Sequence, residues 1–389
     1  MKILVVHPNL QLLGGGATVA AWLLEALRGR HELTLLTWQP PPLAQVNAIC
    51  GTSLEPGDFR LILMPRALRR ALRLLPLRAA LLRWSLLARR AQLVLRREPY
   101  DLAISTENEM DFARRGIQYV HFPRGSLPRP RCDLRWYHRL LPFSVGIYHL
   151  VCERLARSDG ERLRHNLTLV NSHWTGAHFR ALYGVEPRLL YPPVPGEFPR
   201  RSWAERRDGF VAAGRMAPEK RYEMLIGIVE TLRRRGHRVD LHLVTGPGGG
   251  HGAYGRRILA MAERRRRWVT IHRNLPRAAL IELMARHRYG IHGMAEEHFG
   301  IAVAELQRAG AIVFVPAGGG QVEIVGGDER LIYGDAGDAV AKIERVLSDP
   351  ALQRAVRRDA ARRRDRFSSE RFVAEVRQIV ATFDARAMR

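Results

Sequence analysis

The chain has 389 residues, a formal net charge of +25 and three cysteines. That length predicts two domains rather than one core, and an apolar content of 46% excludes an intrinsically disordered chain. Cys50, Cys132 and Cys152 are too few and too scattered for a disulfide framework or a thiolate metal site. The charge favours anionic partners (phosphates, anionic lipid or nucleic acid), although an arginine-enriched composition without a role would give the same number. No stretch of about 20 residues is free of charge, so no membrane span is expected. The opening MKILVVHPNL reads as a strand and not as a signal peptide, so the cytoplasm is the default compartment.

In chain order, Lys2–His7 is a continuous apolar run and predicts a buried strand. The glycine turn Gly14-Gly15-Gly16 and an amphipathic helix from Ala17 to Leu27 follow it. Further strands are predicted at Leu33–Trp38, Leu102–Ser105, Gln118–His121 and Leu167–Asn171. The sequon Asn166-Leu167-Thr168 opens one of these strands and is read as coincidence.

Between the second and third of these strands lies the block Arg66–Arg97, where Leu and Arg repeat at helical spacing without one acidic residue. It reads either as surface helices with their apolar face inward or as a basic amphipathic hairpin on an anionic membrane. Asp101, Glu107, Glu109 and Asp111 cluster near the strand Leu102–Ser105, yet their spacing is not that of metal ligands.

Pro187, Pro192, Pro193, Pro195 and Pro199 then mark a linker. Strand–helix alternation restarts beyond it, with strands at Phe210–Ala213, Asp240–Thr245, Val269–His272, Tyr289–His292 and Ile312–Pro316 and a helix at Glu219–Arg235. The expected domains are 1–190 (Rossmann-like, with the basic insert 66–97), linker 191–207, a second Rossmann-like domain 208–367, and a terminal helix 368–389. The fold class is α/β, two Rossmann-like parallel-sheet domains, with ligands expected beyond the carboxyl ends of the strands in a cleft between lobes. The loop Gly246–Gly252 lacks the Lys-Ser/Thr of a P-loop.

Glu297-His298-Phe299-Gly300-Ile301, ending at Glu305, follows a strand and opens a helix. Amides near Phe299, Gly300 and Ile301 are then helix N-terminal donors suited to a diphosphate, and Gly300 lets a phosphate approach closely. Glu297 and Glu305 are eight positions apart, a little over two helical turns, so that both would face one ligand. Arg215 and Lys220, in Gly214-Arg215-Met216-Ala217-Pro218-Glu219-Lys220, would set two cations on a leaving diphosphate. By spacing alone, two carboxylates and two surface cations are also common by chance.

Four segments in order resemble the retaining glycosyltransferases of family four, which have the GT-B fold. They are the glycine loop Gly14-Gly15-Gly16, the Gly214–Lys220 turn, the Glu297–Glu305 segment, and Gly318-Gly319-Gly320 with Glu323-Ile324-Val325. The resemblance implies a nucleoside-diphosphate-sugar donor held by Gly15, Gly16, Gly214, His298, Phe299, Gly300, Ile301 and Glu305, with the ribose on Glu305. It implies catalysis by Arg215, Lys220 and Glu297, with Glu297 at the sugar, and no cofactor or bound metal. A lone histidine is usually structural, but His121 lies in a His-Phe-Pro run that similar proteins place beside the transferred sugar. The terminal helix is implied to cross back to the N-terminal domain.

Asn171-Ser172-His173-Trp174-Thr175, Tyr191-Pro192-Pro193-Val194 and Glu297–Ile301 resemble the α-1,2-mannosyltransferases that extend lipid-linked oligosaccharides. That likeness implies GDP-mannose as donor, a glycan or glycolipid acceptor, and a peripheral position at the inner membrane face through 66–97. The competing readings are a non-catalytic polyanion-binding protein and a sugar-nucleotide-binding protein without activity. No stacking motif or helix-turn-helix supports nucleic acid as a partner.

Overall fold

The structure, a computed structural model, describes residues 1–11, 14–72, 80–125, 142–246 and 252–383, with backbone only for 142–146. Cys132, part of the basic block at 73–79, the centre of the glycine loop at 247–251 and the stretch 384–389 lie outside the described residues. The chain divides into two compact units, Met1–Pro193 with Ser369–Arg389, and Val194–Ser368. Much of the proline-rich stretch read as a linker therefore belongs to the second unit.

The first unit carries β1 (Lys2–Val6), β2 (Glu32–Thr37), β3 (Arg60–Leu63), β4 (Leu102–Ser105), β5 (Ile117–Val120), β6 (Leu167–Val170) and β7 (Arg188–Leu189). They form one parallel sheet in the order β3-β2-β1-β4-β5-β6-β7. The run of apolar residues in β1 serves both faces. Ile3 and Val5 join a core with the helices Gly15–Leu27 and Ser369–Thr382, whereas Leu4 and Val6 join the core under the helix Ala80–Arg97. The terminal helix contributes Phe372, Val376, Ile379 and Val380 to the first of these cores.

This packing shows what covers the second half of the basic block, the helix Ala80–Arg97. Trp84, Leu87, Ala88, Ala91 and Val94, the apolar face of the helix Ala80–Arg97, are buried against the unit's own sheet. Trp84 Nε1 donates to the Glu109 carbonyl at 3.2 Å, and the Arg124 guanidinium lies 3.8 Å from the Trp84 ring centre. The expected hairpin with its apolar face on lipid is therefore corrected: that face is already occupied, and arginines such as Arg66, Arg70, Arg96 and Arg97 face solvent. Two members of the acidic cluster, Glu109 and Asp111, are likewise internal, whereas Asp101 is exposed. Glu109 accepts from the Arg124 amide at 3.0 Å and the Tyr183 hydroxyl at 3.2 Å, and Asp111 pairs with Arg162 at 2.8 Å.

The second unit carries β8 (Arg207–Ala213), β9 (Asp240–Thr245), β10 (Val269–Arg273), β11 (His287–Ile291), β12 (Ile312–Pro316) and β13 (Ile332–Tyr333). The parallel order is β10-β9-β8-β11-β12-β13. Strand order reverses between β1 and β4 in the first sheet and between β8 and β11 in the second. Crossovers leave opposite faces at such a point, and a crevice opens beyond the carboxyl ends of the two strands.

Among the described residues no helix is long and apolar enough to cross a membrane.

Candidate active site

The reversal in the second sheet sets Gly214–Lys220, after β8, beside His292–Glu297, after β11. Beyond β8 the chain turns through the 3-10 segment Pro218–Lys220 into the helix Tyr222–Arg234. Tyr222 donates its hydroxyl to the Gly214 carbonyl at 3.0 Å, tying the turn to the strand end. A Cβ on Gly214 would sit 3.2 Å from Lys220 Cε and from Tyr222 Oη. Beyond β11 a Cβ on Gly293 would sit 2.4 Å from the Lys220 carbonyl oxygen, so only glycine lets these two strand ends meet.

Lys220 Nζ pairs with Glu297 Oε2, and the two side chains are 13% and 18% exposed. His292 Nε2 faces the same oxygen at 3.2 Å, off the line of a good hydrogen bond. Burial pushes the Glu297 carboxyl up, but Lys220 and His292 together outweigh it and hold it well below the ordinary carboxylate range. Burial lowers His292, which Glu297 opposes and Lys220 reinforces. Glu297 is thus a fixed anion near neutral pH and no proton donor. That suits it to accept hydrogen bonds from hydroxyls.

The helix after Glu297 starts only at Ile301 and runs to Arg308, with Gly300 as its cap at φ +103°. The helix thus begins where the sequence places its N-terminal amides, but the spacing of two helical turns does not apply to the pair: Glu297 lies in the preceding turn and only Glu305 is helical. The first intrahelical bond is from the Val303 amide to the Gly300 carbonyl at 2.9 Å, so the Ile301 and Ala302 amides precede it. Glu305 is buried and pairs with Arg277, whose guanidinium also donates to the Pro195 carbonyl at 2.5 Å. The side chain of Phe299 is buried against Phe367, with ring centres 5.4 Å apart, which leaves its backbone as the part able to meet a ligand. His298 is half-buried.

The glycine element closes this site from behind. The Gly320 amide donates to the Glu297 carbonyl at 2.7 Å, and Gln321 Nε2 reaches the Met294 and Ala295 carbonyls at 3.0 and 3.1 Å. Arg215 is not drawn in. Its side chain is 80% exposed and meets Glu219 at 3.3 Å.

In the first unit the helix Gly15–Leu27 starts at the carboxyl end of β1, and a Cβ on Gly16 would meet His121 Nε2 at 3.4 Å. His121 Nε2 lies 3.1 Å from the Thr106 carbonyl, and its backbone amide donates to Asn108 Oδ1 at 2.9 Å. Asn171 Nδ2 and Thr175 Oγ1 both reach the His121 carbonyl, at 3.0 and 3.3 Å, while Ser172 caps the helix His173–Tyr183. The Asn-Ser-x-Trp-Thr stretch therefore acts as a bracket for His121.

Residues 197–364 match the family model of glycosyl transferases group 1. This group 1 match spans nearly all of the second unit and includes Gly214, Lys220, His292, Glu297 and Glu305. The chain is 27% identical over 172 residues to the GDP-Man:Man(3)GlcNAc(2)-PP-Dol alpha-1,2-mannosyltransferase of Candida glabrata, covering 40% of this chain and 34% of that protein. It is 27% identical over 227 residues to the Xenopus tropicalis protein of the same name, covering 54% and 47%. These alignments span less than half the length of the curated relatives.

Among solved structures, Anabaena HepE in complex with UDP and glucose superposes with a TM-score of 0.66 at 15% identity, covering 98% of this chain and 100% of that one. WaaG, a glycosyltransferase involved in lipopolysaccharide biosynthesis, gives 0.65 at 17%, with the same coverage. At these identities the likeness is one of fold, and the fold is GT-B.

Sequence reasoning missed His292, Gly293 and Arg277. His292 ends the predicted strand Tyr289–His292 and Gly293 directly follows it, which was the available signal. Arg277 carried none.

Proposed function

We propose that this protein is a retaining glycosyltransferase that moves mannose from GDP-mannose to a lipid-linked or growing glycan acceptor. The observation that supports this reading most is the Lys220–Glu297 pair at the reversal point of the second sheet, beside a helix start. The mannosyltransferase names of the curated relatives support the choice of donor.

In this reading the amides of Ile301 and Ala302 meet the diphosphate, and Gly214 keeps the opposite wall free of a side chain. The bond from the sugar's anomeric carbon to the β-phosphate oxygen breaks, and its electron pair stays on the diphosphate. The acceptor hydroxyl attacks from the same face and passes its proton to a phosphate oxygen, so configuration is retained without an enzyme nucleophile. Lys220 supplies positive charge as the leaving group forms, and Arg215 does so only if it swings in from solvent. Glu297 accepts from the sugar's hydroxyls and Glu305 from the ribose side. The place of His121 beside the sugar, and a reaction without bound metal, rest on the resemblance.

The test is release of GDP, and transfer to a dolichol- or polyprenol-linked oligosaccharide, with UDP- and ADP-sugars in parallel. Wild-type turnover in Lys220→Ala and Glu297→Ala together would refute the site. Anionic membrane contact through 66–97, in this reading, is electrostatic and uses the outward arginines. Flotation with phosphatidylglycerol vesicles should fail when Arg66, Arg70, Arg96 and Arg97 are reversed to Glu.

The charge of +25 favours a second reading, that of a polyanion-binding protein. It predicts RNA or DNA binding with a steep salt dependence that ignores Glu297.

A further inference from the structure

Both nitrogens that face the Glu297 carboxylate address a single oxygen. Lys220 Nζ and His292 Nε2 both meet Oε2, and Oε1 has no partner among the described residues. His292 is 5% exposed, its Nε2 finds no well-aligned acceptor, and the carbonyl of the same residue is fixed by the Tyr333 hydroxyl. A buried imidazole N–H without an aligned acceptor costs on the order of 1–3 kcal/mol, so a fold that retains one beside an open carboxylate has prepared a place for a group that satisfies both. A hydroxyl does this: it donates its proton to the carboxylate and accepts the imidazole N–H on its oxygen.

We propose that His292 and Glu297 form a donor–acceptor pair for one hydroxyl of the donor sugar, and that His292 sets which hexose the site accepts. The inference rests on the nucleotide-sugar reading of this site. Lys220 holds Oε2 and keeps the carboxylate ionised, so Oε1 takes the hydroxyl proton. Neutral His292 presents Nε2–H, the tautomer that a carboxylate neighbour favours. Sites built to bind a hydroxyl reject the analogue lacking it far more strongly than an apolar pocket would, because both buried partners are left unmatched.

The experiment uses the full chain and GDP, GDP-mannose, and its 3-, 4- and 6-deoxy forms. Binding is measured by calorimetry and turnover by GDP release, for wild type, His292→Leu and His292→Gln, with thermal unfolding to establish that each variant is folded. Wild type should discriminate against one deoxy donor by about 100-fold or more. His292→Leu should bind GDP as wild type does, lose roughly 10- to 100-fold with GDP-mannose, and discriminate about 10-fold or less. His292→Gln, whose amide N–H can stand where Nε2–H stood, should recover most of the discrimination.

A folded His292→Leu with wild-type discrimination, or a folded His292→Gln as defective as His292→Leu, overturns the role of His292 alone. A wild-type chain that binds neither GDP nor GDP-mannose overturns the donor reading, and this inference with it.

Discussion

Replacing Lys220 by Met tests how the Glu297 carboxylate is held. Both side chains are largely buried, at 13% and 18% exposure, so removing the ammonium leaves an anion whose one remaining ion-pair partner among the described residues is His292. Breaking such a pair costs about 3–5 kcal/mol. His292 can take up a proton and restore part of the charge, which places the expected loss at the low end, about 3 kcal/mol at pH 7. For a unit of this size that is a fall of roughly 6–12 °C in the calorimetric midpoint.

The pH dependence has a definite sign. In the wild type Glu297 is depressed well below its ordinary 4.5, so its contribution is fully present above that pH and is lost progressively as the pH falls from there towards the depressed value. In Lys220→Met burial dominates and raises the carboxyl, so the deficit should shrink as the pH is lowered from 7 towards 5. Adding Glu297→Gln should recover more than half of the loss, since a neutral amide needs no counter-charge. A Lys220→Met protein within about 0.5 kcal/mol of wild type, or a double mutant as unstable as the sum of the singles, would refute this account.

Other expectations concern the surrounding structure. Burial drives His7, 1% exposed, from 6.5 to about 4, so the first unit should lose stability as the pH falls between those values and keep it above 6.5. The slope from this group is about 1.4 kcal/mol per pH unit, and His7→Asn should flatten it in pH-dependent urea titrations. Gly319→Ala, at φ +74° with a Cβ 2.5 Å from the Glu297 carbonyl oxygen, should lower the thermal midpoint more than Gly327→Ala, at φ +67° with nothing within 4 Å. Only the shared left-handed strain, about 1–2 kcal/mol, is expected at Gly327. Trp84→Ala should cost about 3–5 kcal/mol by urea titration without lipid, because that ring is covered by the unit's own sheet.

The strands that alternate with helices were legible because parallel strands buried on both faces are short unbroken apolar runs. Leu102–Ser105, Asp240–Thr245 and Ile312–Pro316 are found at the bounds their residues suggest. The edge strands β3, β7 and β13 were not. Two of them are a residue pair each, and β3 is partly exposed, so neither length nor hydropathy marks them.

Lys220 and Glu297 were legible as members of known segments, but their contact depends on β8 lying beside β11, a fact of sheet order that no local pattern carries. The same holds for His292: one histidine after a strand has no signature until its neighbour across the crevice is known. Counting helical turns from Glu297 to Glu305 fails because the count passes through Gly300, whose positive φ lies outside helical geometry. The basic block shows the complementary limit, since amphipathic spacing reveals an apolar face but not what covers it.

The helix Ser369–Thr382 completes a core begun by residues Ile3 to Leu54, while Val194–Ser368 form a unit of their own. Topologically, the second unit is an insertion within the first. During synthesis the second unit can close its core as soon as it emerges, whereas the first must wait with the apolar surface of Leu23, Leu24 and Leu27 incompletely covered. The first unit, whose residues are translated first, therefore completes its core only after the whole second unit has emerged.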